Sequence, residues 1–303
     1  MYFAARNKTR VSALLYYFFI LPLSFLPMPF LYAFSRFVLK PLVLVSGFRK
    51  GVVAKNLADS FPEKSALERK QIMSTFYLHL CDLVAESIKA FTISEKMARS
   101  KMVYENTEIF DDLYKKGKNV VMVGGHYGNW ELLAVSIAQS IPHKPKALYT
   151  PLTDAFFDKK MKATRSKFGL EMLPIDEVKN IFAQPLQKPI SVIFGADQSP
   201  RDPKKAYWMK FLHQETGVQF GAEKFAKDYN CAVVYGVINR LKRGYYQTSF
   251  SLICEDPETM AYGEITQQHT KRLEKKILEG PAFWLWTHRR WKHKRPAECQ
   301  LHA

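Results

Sequence analysis

The first 50 residues contain no acidic side chain; the first is Asp59. Within them, an uncharged run extends from Val11 to Ser35, flanked by Arg6, Lys8 and Arg10 on one side and by Arg36, Lys40, Arg49 and Lys50 on the other. Twenty-five uncharged residues exceed the roughly 20 that a helix needs to cross a bilayer core. Pro22, Pro27 and Pro29 each remove a backbone donor, so the expected form is a kinked span, a helical hairpin or a helix lying in the interface. The bland alternative is a buried core helix. A cleaved signal peptide fits poorly, because the run is long and no Ala-x-Ala site follows it. Basic residues are heavier downstream, counting Lys55, which places the main domain on the cytoplasmic side. Residues 1–45 are therefore expected to be a membrane anchor and residues 46–303 one catalytic domain.

The whole chain of 303 residues carries 45 Lys+Arg against 28 Asp+Glu, a net charge of +17. Such a balance points to an anionic partner: anionic lipid, a phosphorylated or acidic-protein substrate, or nucleic acid. With 47% apolar residues the chain is neither disordered nor collagen-like. Cys81, Cys231, Cys254 and Cys299 form no CxxC pair, which implies a reducing compartment and no structural zinc.

Beyond the apolar segment, the spacing of Ile72, Phe76, Leu80, Leu83, Val84 and Ile88 predicts a helix, opened by Ser65 and running to Phe91. Strands are predicted at Lys118–Val123, Ala147–Thr150 and Ile190–Phe194, with two more at Cys231–Asn239 and Tyr245–Ile253 around an Arg-Gly turn. Helices are predicted over 131–138, over the Lys-rich stretch ending near Gly169, over 221–229 and over 267–278. Strands separated by helices argue a single α/β domain with a mostly parallel central sheet, flanked by helices, with an antiparallel edge.

The segment Gly124-Gly125-His126-Tyr127-Gly128-Asn129-Trp130-Glu131 closes the first predicted strand, where α/β sheets place their sites. On one continuous helix His126 and Glu131 would lie about 140° apart. In a turn that becomes a helix they can meet, and Glu131 can then orient the imidazole while its other nitrogen takes a proton. Gly124 and Gly125 would allow close approach or offer N–H groups to an oxyanion. A structural His beside a helix-start Glu is the bland reading. Asp197 follows a buried-type strand and reads as a turn or helix cap, with a chemical role as the alternative. Near the carboxyl end, Arg289, Arg290 and Lys292 are interleaved with Trp284, Trp286 and Trp291, a mixture that suits a membrane interface or a phosphorylated headgroup, single-stranded nucleic acid, or simply a solvated tail. His288 and His293 lack a third ligand at metal spacing, and no Gly-x-Ser-x-Gly elbow is present.

Taken together, Gly125-His126-Tyr127-Gly128-Asn129-Trp130-Glu131, Asn56-Leu57…Phe61-Pro62-Glu63, Asp197-Gln198 and Trp286-Thr287-His288-Arg289-Arg290-Trp291-Lys292 resemble the lipid A biosynthesis (late) acyltransferases, the lauroyl and myristoyl type. The resemblance covers nearly the whole chain. It departs at Tyr149-Thr150-Pro151, where several members carry Arg-Pro. It implies transfer of a fatty acyl chain from acyl carrier protein to a hydroxyl of a lipid A precursor at the inner membrane, facing the cytoplasm. No cofactor or metal is implied, and His126 with Glu131 acts as general base without an acyl-enzyme. It also implies Arg165 as a member of the site; from their own chemistry, Asp197, Arg289, Arg290 and Lys292 are expected to bind substrate with it. The positive surface would hold the anionic glycolipid and recruit the acidic carrier protein; nucleic acid is not an expected partner. Two alternatives stay open: an acyltransferase for another membrane glycolipid or an amino lipid, and a non-enzymatic protein that binds anionic lipid or nucleic acid.

Overall fold

The computed structural model describes residues 10–182 and 186–302. Arg6 and Lys8, part of the expected basic flank, lie outside the described residues. The apolar amino-terminal segment forms two helices, α1 (Arg10–Phe25) and α2 (Met28–Val45). They are broken at Leu26 and Pro27, whose backbone is extended. Each helix also contains a wider π-type turn, Tyr16–Ile20 and Ser35–Leu39, ending just before Pro22 and Pro41. A proline ring clashes with the carbonyl four residues back and cannot donate to it, and the wider turn relieves both problems.

Both helices lie along the domain. After α3 (Lys50–Ser60) comes the longest helix, α4 (Ala66–Ala90). Its start is the predicted one, fixed by reciprocal hydrogen bonds between Ser65 and Glu68. From α4, Lys89 donates to the carbonyls of Ser24 and Leu26 at 3.0 and 3.1 Å, satisfying backbone left open by the break. Asp82, also on α4, accepts from the Ser35 hydroxyl at 2.8 Å and from Arg243 at 2.6 and 2.9 Å. Along the outer side of α1 and α2 the apolar side chains stay exposed. Of 24 exposed large apolar residues among those described, 15 fall between Val11 and Phe48. That concentration sets the segment apart from a core helix.

The remaining elements are α5 (Glu95–Lys101), β1 (Met102–Glu105), α6 (Glu108–Lys115), β2 (Val120–Gly124), α7 (Trp130–Ala134), β3 (Lys144–Tyr149), α8 (Ala155–Ser166), β4 (Glu171–Pro174), β5 (Ile190–Gly195), β6 (Tyr207–Phe211), β7 (Gln214–Val218), α9 (Gly221–Asp228), β8 (Ala232–Lys242), β9 (Tyr245–Cys254), α10 (Glu264–Glu279) and β10 (Leu301–His302). Seven strands form one sheet in the order β1-β9-β8-β2-β5-β3-β4. From β8 to β4 all neighbours are parallel; β9 is antiparallel to β8 and parallel to β1. The expected mostly parallel sheet with flanking helices is thus the fold, with the antiparallel part confined to one side.

β2 shows why a continuous apolar run suits such a sheet. Val121 and Val123 pack on one face with Ala222, Phe225 and Ile265; Val120 and Met122 pack on the other with Phe110, Leu170 and Phe250. The helix predicted over 131–138 is shorter, ending at Ala134 before a 3₁₀ turn at Ile137–Gln139. A separate three-stranded sheet, β10-β6-β7, was not predicted. Cys81, Cys231 and Cys254 are free and buried.

Asp82 is 1% exposed and faces two arginines, Arg243 and, at 3.6 Å, Arg240. Asp82→Ala leaves those charges uncompensated, at a cost of about 3 kcal/mol, the lower end for a buried pair because Arg243 is partly exposed. Denaturant unfolding should show the loss, with faster proteolysis of α1 and α2; unchanged stability would refute the role assigned to Asp82.

Candidate active site

The first helix after β2 begins only at Trp130, so Gly125–Asn129 is a turn above the end of β2. β2 lies between β8, on one side, and β5, on the other, the place where an α/β sheet opens a crevice beyond its strand ends. His126 follows β2 and Asp197 follows β5, and hydrogen bonding brings them together. The Asp197 carboxylate accepts from the His126 ring Nδ1 at 2.6 Å and from the His126 backbone N–H at 2.7 Å. It also accepts from the Trp284 indole N–H at 2.8 Å.

This differs from the expected His126–Glu131 pairing. Glu131 is instead bound by Arg165 on α8, through Nε at 2.8 Å and Nη2 at 2.5 Å. The reason lies in the turn: Gly128 adopts φ +69°, and helix α7 then begins by carrying Glu131 toward α8. The cap reading of Asp197 is likewise replaced by its grip on His126. Spacing along the chain favoured a partner five residues away; the parallel register of β2 on β5 supplies one 71 residues away.

The glycines make room for this contact. A Cβ at Gly125 would stand 2.8 Å from the Leu273 side chain and 3.1 Å from Asp197, and one at Gly195 would stand 2.9 Å from the His126 ring. A Cβ at Gly124 would strike the Gly236 carbonyl at 2.7 Å. The N–H groups of His126, Tyr127 and Gly128 are taken by Asp197, by the Gly125 carbonyl and by the Phe283 carbonyl, so these three amides are not donors for an oxyanion.

The carboxyl-terminal stretch is built into the site's frame. Trp284 and Trp286 are buried, and Asn56 donates to the carbonyls of Trp286 and His288, both at 3.0 Å. Arg290 corrects the expectation of a cation held out to a headgroup. It is 3% exposed and donates to the Gly217 carbonyl at 2.8 Å. It lines a small enclosed space behind Asp197 together with Tyr235 and His269. Burial pulls its guanidinium down to about 10, against the favourable charge of Asp197. His288 accepts from the Ser199 N–H at 2.9 Å, and burial pulls its pKa down to about 4, so it is neutral. Arg289 and Lys292 are exposed. Among the described residues no group of three His, Cys, Asp or Glu side chains is placed to hold a metal ion.

The electrostatics follow from burial and pairing. Burial opposes charge on His126, but the Asp197 carboxylate, with Glu131 beyond it, outweighs burial and raises the imidazole pKa. Burial also opposes charge on Asp197; the His126 contacts and the Trp284 hydrogen bond overcome it and hold the carboxyl well below the usual range. With Asp197 ionised, Nδ1 carries the proton and Nε2 the lone pair. Nε2 meets the Gln198 amide only at 3.5 Å, and the side chain is about a quarter exposed, at 24%. Sequence reasoning had noted Gln198 only as the neighbour of Asp197.

The sequence profile of the bacterial lipid A biosynthesis acyltransferases matches residues 4–293. The chain belongs to that family. Membership makes it an acyltransferase and sets aside the non-enzymatic reading. It also implies a lipid A precursor as substrate. A search of curated proteins gave no match.

Two substitutions test this geometry in the lipid A acyltransferase chain. Gly195→Ala should move the His126 ring and lower kcat roughly 10²-fold with the circular dichroism spectrum unchanged; full activity would contradict the fit. With His126 as the base, only its neutral form accepts a proton, and Asp197 raises its pKa, so the acid limb of kcat/KM should lie above the ordinary histidine value. Asp197→Asn removes that charge and leaves burial to lower the pKa. The limb should move to lower pH while the plateau falls on the order of 10⁴-fold, through loss of the productive tautomer. A limb that stays in place would exclude Asp197 as the partner.

Proposed function

We propose that the protein transfers a fatty acyl chain from acyl carrier protein to a hydroxyl of a lipid A precursor, with His126 as general base. The observation that carries this reading is the His126–Asp197 contact of 2.6 Å, which engages Nδ1 and leaves Nε2 as the free ring nitrogen. A free hydroxyl is a weak nucleophile, and base catalysis of this kind contributes typically 10²–10⁴-fold. Nε2 takes the hydroxyl proton as the oxygen attacks the thioester carbonyl. The tetrahedral intermediate then collapses: the carbon–sulfur bond breaks, and the imidazolium returns the proton to the leaving thiolate. No acyl-enzyme is needed.

In this reading Asp197 orients the imidazole and stabilises its cation. Glu131 fixes Arg165, whose charge reaches His126, and the Arg165 guanidinium and the Gln198 amide are the donors for the developing oxyanion, each worth about 2.7–4 kcal/mol. Exposed Arg289 and Lys292 meet the acidic carrier protein or the phosphates of the acceptor. Residues 1–45 attach the protein to the inner membrane, and residues 46–303 form the catalytic domain on the cytoplasmic side. Helix α2 is long and apolar enough to cross a bilayer, with mean hydropathy 1.5 over 18 residues. The polar ties to Asp82 and Lys89 favour an arrangement in which α1 and α2 lie in the interface against the domain.

The experiment is complementation. In a host lacking the protein, wild type should add one acyl mass to lipid A in the mass spectrum, and His126→Ala should not, while still sedimenting with membranes. Lipid A unchanged in every strain would remove the acceptor assignment and direct the search to other membrane lipids in the same extracts.

A further inference from the structure

An open apolar groove of about 530 Å³ lies at the carboxyl end of α2, away from His126. One wall is Val43 and Leu44 of α2, and the other is Ala54 of α3 and Met73 of α4. Leu57 and Tyr77 at its base are 1% and 2% exposed. The Tyr77 hydroxyl is turned to the Phe48 carbonyl at 2.7 Å, so the base presents carbon. The volume is within the 300–1,000 Å³ typical of small-molecule sites.

Three cations, Lys50, Arg69 and Lys70, also line the groove, and no acid does. Among the described residues none of the three takes part in an ion pair. Arg69 is directed by donation to the carbonyls of Phe61 and Lys64; Lys50 and Lys70 are exposed. Outside the groove, Leu42 and Val45 of α2 and Leu67 of α4 are 61%, 89% and 65% exposed, so apolar surface continues beyond it on both helices. Glu68, the nearest acid in sequence, is occupied with Ser65. Like charges gathered without a counter-charge around an apolar slot match the chemistry of an amphiphile with an anionic head.

None of the lining residues belongs to the catalytic group. The buried cluster of Phe61, Phe76, Tyr127 and Trp284, which also takes in Leu57 and Tyr77, lies behind the base of the groove and carries Tyr127, the neighbour of His126. We infer that the groove holds one anionic glycerophospholipid from the surrounding bilayer, an acyl chain against Leu57, Met73 and Tyr77 and the phosphate between Lys50 and Lys70. The lipid would seat the carboxyl end of α2 on the domain as Asp82 seats its middle. This rests on the reading that α1 and α2 lie in a membrane.

The test uses the full chain in neutral detergent. Native mass spectrometry after addition of phosphatidylglycerol should show one retained molecule, and phosphatidylcholine should not replace it. Ala54→Trp, at an exposed helical position, fills the groove and should abolish retention with acyl transfer intact. Lys50→Gln and Lys70→Gln should each weaken retention roughly fivefold. Equal retention of phosphatidylcholine, or retention unchanged by all three variants, would overturn the proposal. So would displacement of the bound lipid by a lipid A precursor together with a raised acceptor KM in Ala54→Trp, since the groove would then belong to the substrate. Flotation with liposomes is measured in parallel: wild type that fails to float rejects the membrane reading, whereas wild type that floats but retains no lipid rejects the groove alone.

Discussion

One buried carboxylate ties the site together. Asp197 receives the His126 ring, the His126 backbone amide and the Trp284 indole. Those three donors come from the turn after β2 and from the carboxyl-terminal stretch, while Asp197 itself follows β5. A negative charge taken out of water is tolerable only when its oxygens are fully engaged and a cation is near. Arg290, across a small enclosed space, supplies the charge, joined by the imidazole when His126 is protonated. The requirement propagates outward. Gly125 and Gly195 must lack side chains, Trp284 must be buried, and Asn56 must hold the loop that carries Trp286 and His288.

The same turn is joined to the amino-terminal helices by a second polar group. Asn129 accepts from the Leu132 N–H at 2.8 Å, capping α7, and its amide donates to Glu86 on α4. Glu86 also accepts from Tyr32 of α2 at 2.7 Å and from Tyr246 of β9 at 2.8 Å. Asn129, three positions after His126, is thereby connected, through one carboxylate, to the segment with the most exposed large apolar residues. The positions of the His126 turn and of α2 are set by shared hydrogen bonds, which accounts for an apolar segment packed on the domain.

Much of this fold could be read from residues. The run Val120–Val123 ends in glycine because the Gly236 carbonyl leaves no room for a Cβ at Gly124; Ser65 and Glu68 announced α4; Arg243-Gly244 marked the β8–β9 turn, where Gly244 has φ +75°. The β6–β7 hairpin was illegible for a local reason. Its two turn residues, Leu212 and His213, both have positive φ, of 49° and 64°, without the Asn or Gly that usually signals such a turn. The site was half legible. His126 stood out by its glycines and by its place after a strand. Its carboxylate partner did not, because which strand neighbours β2 is decided by helices packing on both faces of the sheet, not by anything near His126. Arg290 was misread for a related cause: a basic run gives no sign of which member folds inward, and here Arg289 and Lys292 face solvent while Arg290 is enclosed.

The central claim is that Asp197 holds His126 as a base with its lone pair on Nε2. Imidazole ¹⁵N chemical shifts of His126 in the labelled full chain, followed against pH, report tautomer and pKa together. The structure requires the Nδ1–H form when neutral and a pKa above the ordinary value of roughly 6.5. An Nε2–H tautomer, or a pKa below that value in the wild-type protein, would contradict the account.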